Sequence, residues 1–505
     1  MRSIPSIQTM NPDQILRKKP FRVPLPSIGS EFGQKSTAGI SLVNLDGVKY
    51  VECTQAEFLR QYYPSSHKIN SLKYYPNSIF KDMSEGKLRA KVHTRAAVAY
   101  QQMIKTKRKV AILGNEVGMR LITNRAKQAG NDLLARFREG WEETNMEIAI
   151  DRGIDSDFTV ADVAVYLYID NGAEGGVGWR VFSYLNGDTL YPHYNPMTGE
   201  IALLGRHYMQ EDEDGNKTEY LDVIDNTHYA IYRLDFADGK RNWKLESTER
   251  HGFNTCPVAY HRSVGPVWCA SQDGIENYEI GISQFCEYNS AYGLGILFTC
   301  GAEFSIDTDN DGTPLHLDSP DADAKASFIN PTPGGADSAY AKQLEILDKN
   351  IMRCSFVQHA PEIKSGSDMS GLTVKMLNAD PYYKALEDAQ EYQLFIDRIV
   401  RLFKFAYGMQ NNLESEFKDF KIKAYLDPFY FLSETEIVNA LVQLTSIGAL
   451  SRRSATEIAY NSGYGVADEW QRVQQQEHDD LVAESAASQQ SERQNPVAES
   501  RNQQQ

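Results

Sequence analysis

Cysteine is scarce. The six thiols lie scattered at positions 53, 256, 269, 286, 300 and 354, and no two form a CxxC pair. That pattern excludes a dense disulfide framework and a finger-type zinc site, and it fits buried thiols in a reducing compartment. Long apolar runs are missing too: the longest, Leu294 to Cys300, is far too short to span a bilayer. The first eight residues, Met-Arg-Ser-Ile-Pro-Ser-Ile-Gln, lack the apolar core of a secretory signal. Cations are outnumbered, 52 Lys and Arg against 68 Asp and Glu, for a net charge of −16. A chain so acidic does not wrap nucleic acid in cations, although DNA can still pass along a weakly interacting wall of it. The phosphate-binding GxxxxGK[ST] and GxGxxG loops, HExxH and GxSxG are all absent. The ten histidines show no metal-ligand spacing. Nothing here supports an enzyme.

What is present is an ordinary globular balance, 41% hydrophobic and 24% charged over 505 residues, enough for two to four domains. The chain is organised around two helical patterns joined by a polar loop. Residues 337–356 place Ala341, Leu344, Leu347 and Ile351 on one stripe. A second helical pattern opens after Gly371 and runs through Leu386, Ile396, Ile399, Leu402 and Phe403 to Gly408. Pro381 inside it should produce a kink, with Asp380 capping the restarted segment. Between them residues 358–371, rich in Gly and Ser, read either as a plain connector or as a mobile element facing a ligand.

In chain order, residues 1–50 read as an extended arm, unpatterned in Pro, Ser and Gly. Thr54 to Tyr63 predicts a helix, and the basic residues between Lys81 and Lys109 predict a solvated helix face. Residues 131–150 predict one amphipathic helix with Leu133, Leu134, Phe137, Trp141 and Ile148 on its stripe. From Thr159 to about 260, β-branched and aromatic runs alternate with Asn186-Gly187, Thr198-Gly199, Asp214-Gly215 and Asp238-Gly239, the signature of an antiparallel meander. Residues 271–292 return to helical spacing, 296–336 are strand and loop, and 420–426 alternate as a short strand. Ser433-Glu-Thr-Glu436 is a capping box, Gly448 ends the helix that follows, and the tail is too polar to bury anything. The fold class is α+β.

One stretch carries its own chemistry. Asp307, Asp309 and Asp311, then Gly312 and Asp318, match positions 1, 3, 5, 6 and 12 of a calcium loop, whose oxygens converge on one hard cation. The short Asp at position 12, Pro314 at position 8 and strand-like flanks point instead to an acidic hairpin tip.

Several segments, in this order, resemble tailed-bacteriophage portal proteins. They are Asn145 to Tyr168, Phe253-Asn-Thr-Cys-Pro257-Val-Ala-Tyr-His261 leading into Gly274 to Ile282, Ser365-Gly-Ser-Asp-Met-Ser-Gly371, Leu444 to Ile458, and Asp468 to Glu477. The resemblance spans roughly 85–485, and the acidic insert at Asp307–Asp318 has no place in the family's pattern. It implies a portal-type fold with these parts: an N-terminal arm (1–50), an α/β wing (51–268) and a two-helix stem (269–293 and 337–356). It also implies a small β-containing clip (294–336), a tunnel loop (357–371), a wing segment with a long kinked helix and a strand (372–430), a helical crown (431–486) and a disordered tail (487–505). It further implies a non-enzymatic ring of twelve subunits at one capsid vertex in the virion, assembled in the host cytoplasm. Double-stranded DNA would be packaged and ejected through it, with terminase, head-completion or tail-adaptor proteins, the major capsid protein and a scaffold as partners and no membrane. Lys364, Ser365, Gly366, Ser367, Asp368, Ser370 and Gly371 would line the channel, with Lys342, Lys349 and Arg353 facing it from the stem. Tyr340, Ile346 and Met352, off the main stripe, would meet neighbouring subunits. No cofactor is required; Ca²⁺ at Asp307, Asp309, Asp311 and Asp318 is the one candidate. A monomeric calcium-binding enzyme or binding module, and another structural virion connector, are the rival readings.

Overall fold

The computed structural model describes residues 4–17, 20–24, 42–45, 48–81, 88–122, 127–292 (without 171, 173–175, 214 and 238–239), 296–300, 305–308, 314–318, 325–329, 336–357, 379–428 (without 419), 441–446 and 455. The chain divides into two compact units, Met1–Pro361 with Ala379–Phe429, and Glu362–Asn378 with Tyr430–Gln505. Of the second, the described residues are 455 and a helical stretch at 441–446, in which Thr445 Oγ1 donates to the Leu441 carbonyl at 2.7 Å. The capping box at Ser433 and Gly448 fall outside the described residues. All that follows concerns the first unit.

Several described residues of the N-terminal segment pack against the rest of the unit. Helix α1 (Pro12–Ile15) is closed by a reciprocal capping box between Asn11 and Gln14, and it drives Ile15 into contact with Leu203, Leu221 and Val223. Strand β1 (Phe21–Pro24) pairs with β3 (Val48–Cys53), which also pairs with β2 (Leu42–Leu45). Helix α2 (Gln55–Tyr62) buries Phe58 edge-on against Phe21. A hairpin of β4 (Ser78–Lys81) and β5 (Leu88–Lys91) precedes α3 (Tyr100–Leu113). The basic face of α3 is internally neutralised rather than solvated. Lys105 reaches Asp155 at 2.9 Å, Lys109 reaches Asp151 at 2.9 Å and Asp155 at 3.2 Å, and Arg108 pairs with Asp388.

Strand β6 (Gly118–Leu121) is followed by α4 (Lys127–Glu143) and α5 (Met146–Val160). The single helix expected over 131–150 is therefore two. Asn145 takes a left-handed φ of 53°, a conformation that Asn tolerates better than most residues, and Ile148 lies 44% exposed instead of on the stripe. Thr159 and Val160 end α5 rather than open a strand; Ala161 turns the chain at φ 58° into β7 (Val163–Ile169).

Strands β7, β8 (Val177–Ser183) and β14 (Val258–His261) form one antiparallel sheet in the order β14-β7-β8. The expected meander is present as β9 (Thr189–Tyr194), β10 (Ile201–Glu211), β11 (Lys217–Ile224), β12 (His228–Ala237) and β13 (Lys240–Arg250), paired consecutively. Helices α6 (Gln272–Tyr292) and α7 (Ala336–Cys354) flank two small pairings. These are β15 (Ile296–Cys300) with β18 (Lys325–Ile329), and β16 (Ser305–Thr308) with β17 (Pro314–Asp318).

The last elements are α8 (Ala379–Glu391), α9 (Gln393–Gln410), α10 (Glu414–Lys418) and β19 (Ile422–Tyr425), which pairs with β6. Pro381 does not kink a helix interior. It sits in the first turn of α8, where a missing N–H leaves no bond unmade, and Asp380 beside it faces the positive helix end. The irregularity falls at Tyr392, whose ψ of −7° departs from helix geometry while its backbone bonds to Asp388 and Ile396 persist at 3.0 Å. Helix α9 is the centre of the main core. Phe395, Ile396, Ile399, Leu402 and Phe403 pack against Phe137, Trp141, Ile150, Ile154, Val165 and Leu167 of α4, α5 and β7. Phe403 meets both Phe137 and Trp141 edge-on, at 5.2 and 5.3 Å.

Phe403→Ala should lower unfolding stability by about 3–5 kcal/mol in a denaturant titration, whereas Leu394→Ser, on a side chain 81% exposed, should change it by less than about 0.5 kcal/mol. The N-terminal segment carries a pH dependence. Asp225 accepts the N–H groups of Thr227 and His228, each at 2.8 Å, and that of Ile7 at 3.1 Å. Burial alone would push its pKa up, but these bonds outweigh burial and hold it below the ordinary carboxylate range. Its contribution is thus present above the unfolded pKa and lost as pH falls through the lower folded value. The protection factor of the Ile7 amide, its exchange measured against the intrinsic rate at each pH, should therefore fall in acid, and in Asp225→Asn it should already be low at neutral pH; protection that persists in the variant would contradict this.

Candidate functional site

Helices α6 and α7 lie against each other with little between them. A Cβ added at Gly274 would come within 3.2 Å of Ile351 Cγ1, and one at Gly281 within 3.2 Å of Leu344 Cδ2. The two glycines are seven residues apart, so they recur on the same helix face and let the backbones approach. At 100° per residue, Lys349 and Arg353 fall about 20° to either side of Lys342 on α7, roughly 40° from each other and almost opposite Ile351. All three are exposed, and Lys349 pairs with Glu345 one turn back. The stem cations proposed from sequence therefore share one outer ridge, with Ile346, 50% exposed, beside them. Tyr340 and Met352 are not there. Met352 is buried with Ile104, Trp268 and Ile275, and Tyr340 meets Phe285 and Tyr288 of α6. Their position off the main stripe is explained by contacts within this chain.

The other side of α6 holds an extended segment, residues 92–99, in an arrangement no local pattern announces. The backbone N–H groups of Thr94, Ala96 and Val98 donate to Glu287 Oε1 (3.0 Å), Ser283 Oγ (2.9 Å) and Glu279 Oε1 (2.9 Å). Two residues of extended chain advance about 6.6 Å and four residues of helix about 6 Å, so alternate donors meet acceptors on successive turns. His67 Nδ1 donates to Glu279 at 2.5 Å, with both side chains almost fully buried. His93 Nδ1 donates to Glu287, while its Nε2 accepts the Ser78 N–H at 3.1 Å, which fixes the neutral tautomer. Lys68 adds an ion pair to Glu276 at 2.8 Å; burial opposes its charge, but Glu276 outweighs burial and its pKa is raised. Tyr100, at the start of α3, donates to Asp348 of α7 at 2.5 Å. Both helices are thus tied to the N-terminal third of the chain.

The C-terminal end of α7 fixes where the following loop begins. The Val357 N–H reaches back to the Met352 carbonyl at 3.0 Å, and Phe356 occupies the left-handed position at φ 54°. Val357 then plugs into the core beside Ile351 and Met352. A helix stop of this kind usually carries glycine, so a phenylalanine there hides it from sequence reading. The loop residues Lys364, Ser365, Gly366, Ser367, Asp368, Ser370 and Gly371 lie outside the described residues. So do Asp309 and Asp311. Asp307 and Asp318 are strand residues whose register partners are His316 and Ser305. Among the described residues no group of three or more His, Cys, Asp and Glu side chains could hold a metal ion.

Among the described residues, Ser78, His93 and Glu287 line up as hydroxyl, imidazole and carboxylate, with Ser78 Oγ 2.6 Å from His93 Nε2 and Glu287 also taking the Thr94 N–H. A Ser–His–Asp grouping at Ser263, His261 and Asp157 has a structural geometry. Ser263 Oγ donates directly to Asp157, Tyr392 Oη donates to the same carboxylate oxygen at 2.5 Å, and His261 Nε2 stands 3.4 Å from Ser263 Oγ. In a nucleophilic triad the imidazole lies between hydroxyl and carboxylate; here hydroxyl and phenol clamp a fully buried carboxylate. Burial, then the Asp157 charge, pushes the Tyr392 phenol well above its ordinary pKa, so it stays a donor and pins α5 to the start of α9.

Ser283→Ala should remove the acceptor of Ala96 N–H and cost about 1–3 kcal/mol, with amide exchange accelerating at Ala96 before the core helices open. Unchanged exchange there would mean that the clamp is not what holds this segment.

A family model described as phage portal protein, SPP1 Gp6-like, matches residues 49–481. A search of curated proteins gives no match. Among solved structures, a chain from the neck of an empty GTA particle computed with C6 symmetry is similar at 9% identity, over 72% of this chain and 88% of that one. Its TM-score of 0.31 is too low for that likeness to bear on the fold or the site. The match over 49–481 takes in α2 to α10, every sheet after β1–β3, and the loop after α7, and by it the chain belongs to the SPP1 Gp6-like phage portal proteins.

Proposed function

We propose that this chain forms the portal ring at one capsid vertex of a tailed phage, the passage through which double-stranded DNA is packaged and later released. The observation that carries the reading is the family match across 49–481, which takes in the stem helices, the small strand pairs between them and the loop that follows. Helices α6 and α7 are then the stem, β15–β18 the clip that meets terminase and later a head-completion or adaptor protein, and residues 431–486 the crown. The ring would have twelve subunits, seated in the capsid protein with the help of a scaffold. An acidic hairpin tip at Asp307–Asp318, able to take Ca²⁺, would lie at the clip.

The charge distribution supports a passage rather than a binding site. DNA must slide, so its wall needs few cations; a net charge of −16 with a sparse ridge of Lys342, Lys349 and Arg353 meets that need. The loop at 358–371 would line the narrowest part of the channel. Its first end is fixed by Val357, and Gly366 and Gly371 leave its backbone free to rearrange. Lys364 and Asp368 would face the lumen, and the serines would offer sequence-blind hydrogen bonds to phosphates.

Negative-stain microscopy and light scattering of the purified chain should show rings with a central hole. Deleting Ser365–Ser370 should leave the rings intact and impair packaging or retention of DNA. Monomers under every condition would refute the portal reading; normal packaging and retention by the deletion would reduce the loop to a connector.

A further inference from the structure

Strand β8 is the outermost strand of its sheet, and part of its outer edge is open. The register pairs Trp179 with Leu167, and the Leu167 N–H is turned the other way, to Pro257 at 3.0 Å on the β14 side. Trp179 and Leu167 are therefore a non-hydrogen-bonded pair, and the backbone groups of Val177, Trp179, Val181 and Ser183 point away from β7. At one end this edge is closed. Asp188 takes both outward groups of Ser183, at 3.2 and 3.1 Å, and Asn186 Nδ2 donates to the Val181 carbonyl at 3.0 Å. Among the described residues nothing pairs with the N–H of Val181 or with the N–H and C=O of Trp179.

That open edge faces a cleft of about 670 Å³ whose lining holds Arg152, Arg180, Arg206 and Lys109 together with Asp151, Asp155 and Asp188. Arg152 stacks over Trp179 at 5.6 Å and Arg180 over Tyr168 at 5.7 Å, and among the described residues neither has a carboxylate partner. Arg206, held between Phe182 at 4.4 Å and Tyr208 at 4.1 Å, gives Nε to Asp188 and Nη1 to Asp222, which leaves Nη2. Lys109, also on the lining, is occupied by Asp151 and Asp155. Trp179 and Arg180 are consecutive strand residues and face opposite sides of the sheet, so Arg152 and Arg180 flank the edge from its two sides. A strand laid along this edge with two adjacent acidic residues would present one carboxylate to each arginine.

Resting on the ring reading above, we propose that the edge of β8 accepts an extended acidic segment of a second copy of this chain as an added strand, and that this is a lateral contact of the ring. The charge complementarity favours a copy. The chain has a net charge of −16 and contains adjacent acids such as Asp479-Asp480, so neighbours repel except where one offers unpaired arginines. Main-chain bonds would supply affinity and the arginines register, as in strand addition generally.

Two variants and one exchange measurement on the full chain test this. Val181→Pro removes an outward N–H and leaves the β7 ladder intact, because the bonds to β7 come from the alternate residues. Arg152→Glu with Arg180→Glu leaves the edge open but reverses its flanks. Both variants should raise the concentration needed for rings by about tenfold or more, and in wild-type rings the Trp179 and Val181 amides should exchange far more slowly than in free subunits. If Val181→Pro fails to fold by circular dichroism, the double charge reversal decides. Rings whose Trp179 and Val181 amides exchange as fast as in free subunits would overturn this contact and leave the portal reading standing, as would a charge-reversed protein that assembles like wild type. A wild-type chain that never assembles would bring down the ring reading, and this contact with it.

Discussion

Helix α9 carries an unusually wide apolar face, and that constraint organises the first unit. Only a narrow stripe through Leu394, Asp397 and Arg401 meets solvent, so the rest has to be covered. Helices α4 and α5 cover it on one flank, sheet β14-β7-β8 on another, and the β6–β19 pair lies over its start, where Gln393 donates to the Ala424 carbonyl at 2.7 Å. Its backbone is satisfied internally, so burial strands no polar group except those its side chains bring. Arg398 is the costly one. Burial lowers its pKa, and the charge is kept by bonds to Thr255 Oγ1 at 2.8 Å and to the Cys256 and Val258 carbonyls at 2.6 and 3.4 Å. A planar fork with five donors can satisfy three acceptors spread along an incoming strand, which a lysine could not. Arg398 therefore sets where β14 lies against α9, and through β14 where β7 and β8 lie.

What could be read from the sequence follows from which interactions are local. Helices α6 and α7 declare themselves because their stripes are written at three- and four-residue spacing, and their observed ends fall within two residues of the pattern. The meander declares itself through its turns. The N-terminal segment does not, because Ile7, Met10, Ile15 and Leu16 enter a sheet face one at a time with no period between them. The break at Asn145 is equally silent, since the amphipathic pattern runs through it and a single left-handed residue redirects the chain. Strand β9 carries Pro192, which the sheet tolerates because β9 is an edge strand.

The site divides in the same way. The ridge of Lys342, Lys349 and Arg353 could be placed from helix geometry alone, as could the exposure of Ile346. Tyr340 and Met352 could not, because a residue off the main stripe finds a partner only where another element covers it: α6 meets Tyr340, and α3 with the Trp268 region covers Met352. The clamp of residues 92–99 on α6 joins groups nearly two hundred positions apart. Its one local trace is the run Glu279, Ser283, Glu287, polar residues four apart on a helix that is otherwise half buried. Such a run normally reads as a solvated face, and only the matched rise of strand and helix turns it into a set of acceptors.

The same internal pairing decides what the surface offers. Lys105, Lys109 and Arg108 look in sequence like a basic patch able to hold phosphates, yet each is consumed by an aspartate of α5 or α8. Arg206 is drawn into Asp188 and Asp222, and the burial of that cluster is deep enough to raise the Asp188 pKa despite the guanidinium beside it. Among the described residues, cations left outside such pairs include Lys342 and Arg353 on the α7 ridge and Arg152 and Arg180 on the two flanks of one strand edge. An acidic chain that uses its cations in this manner keeps weak affinity for polyanions, because counterion release scales with the number of phosphates it can neutralise at once.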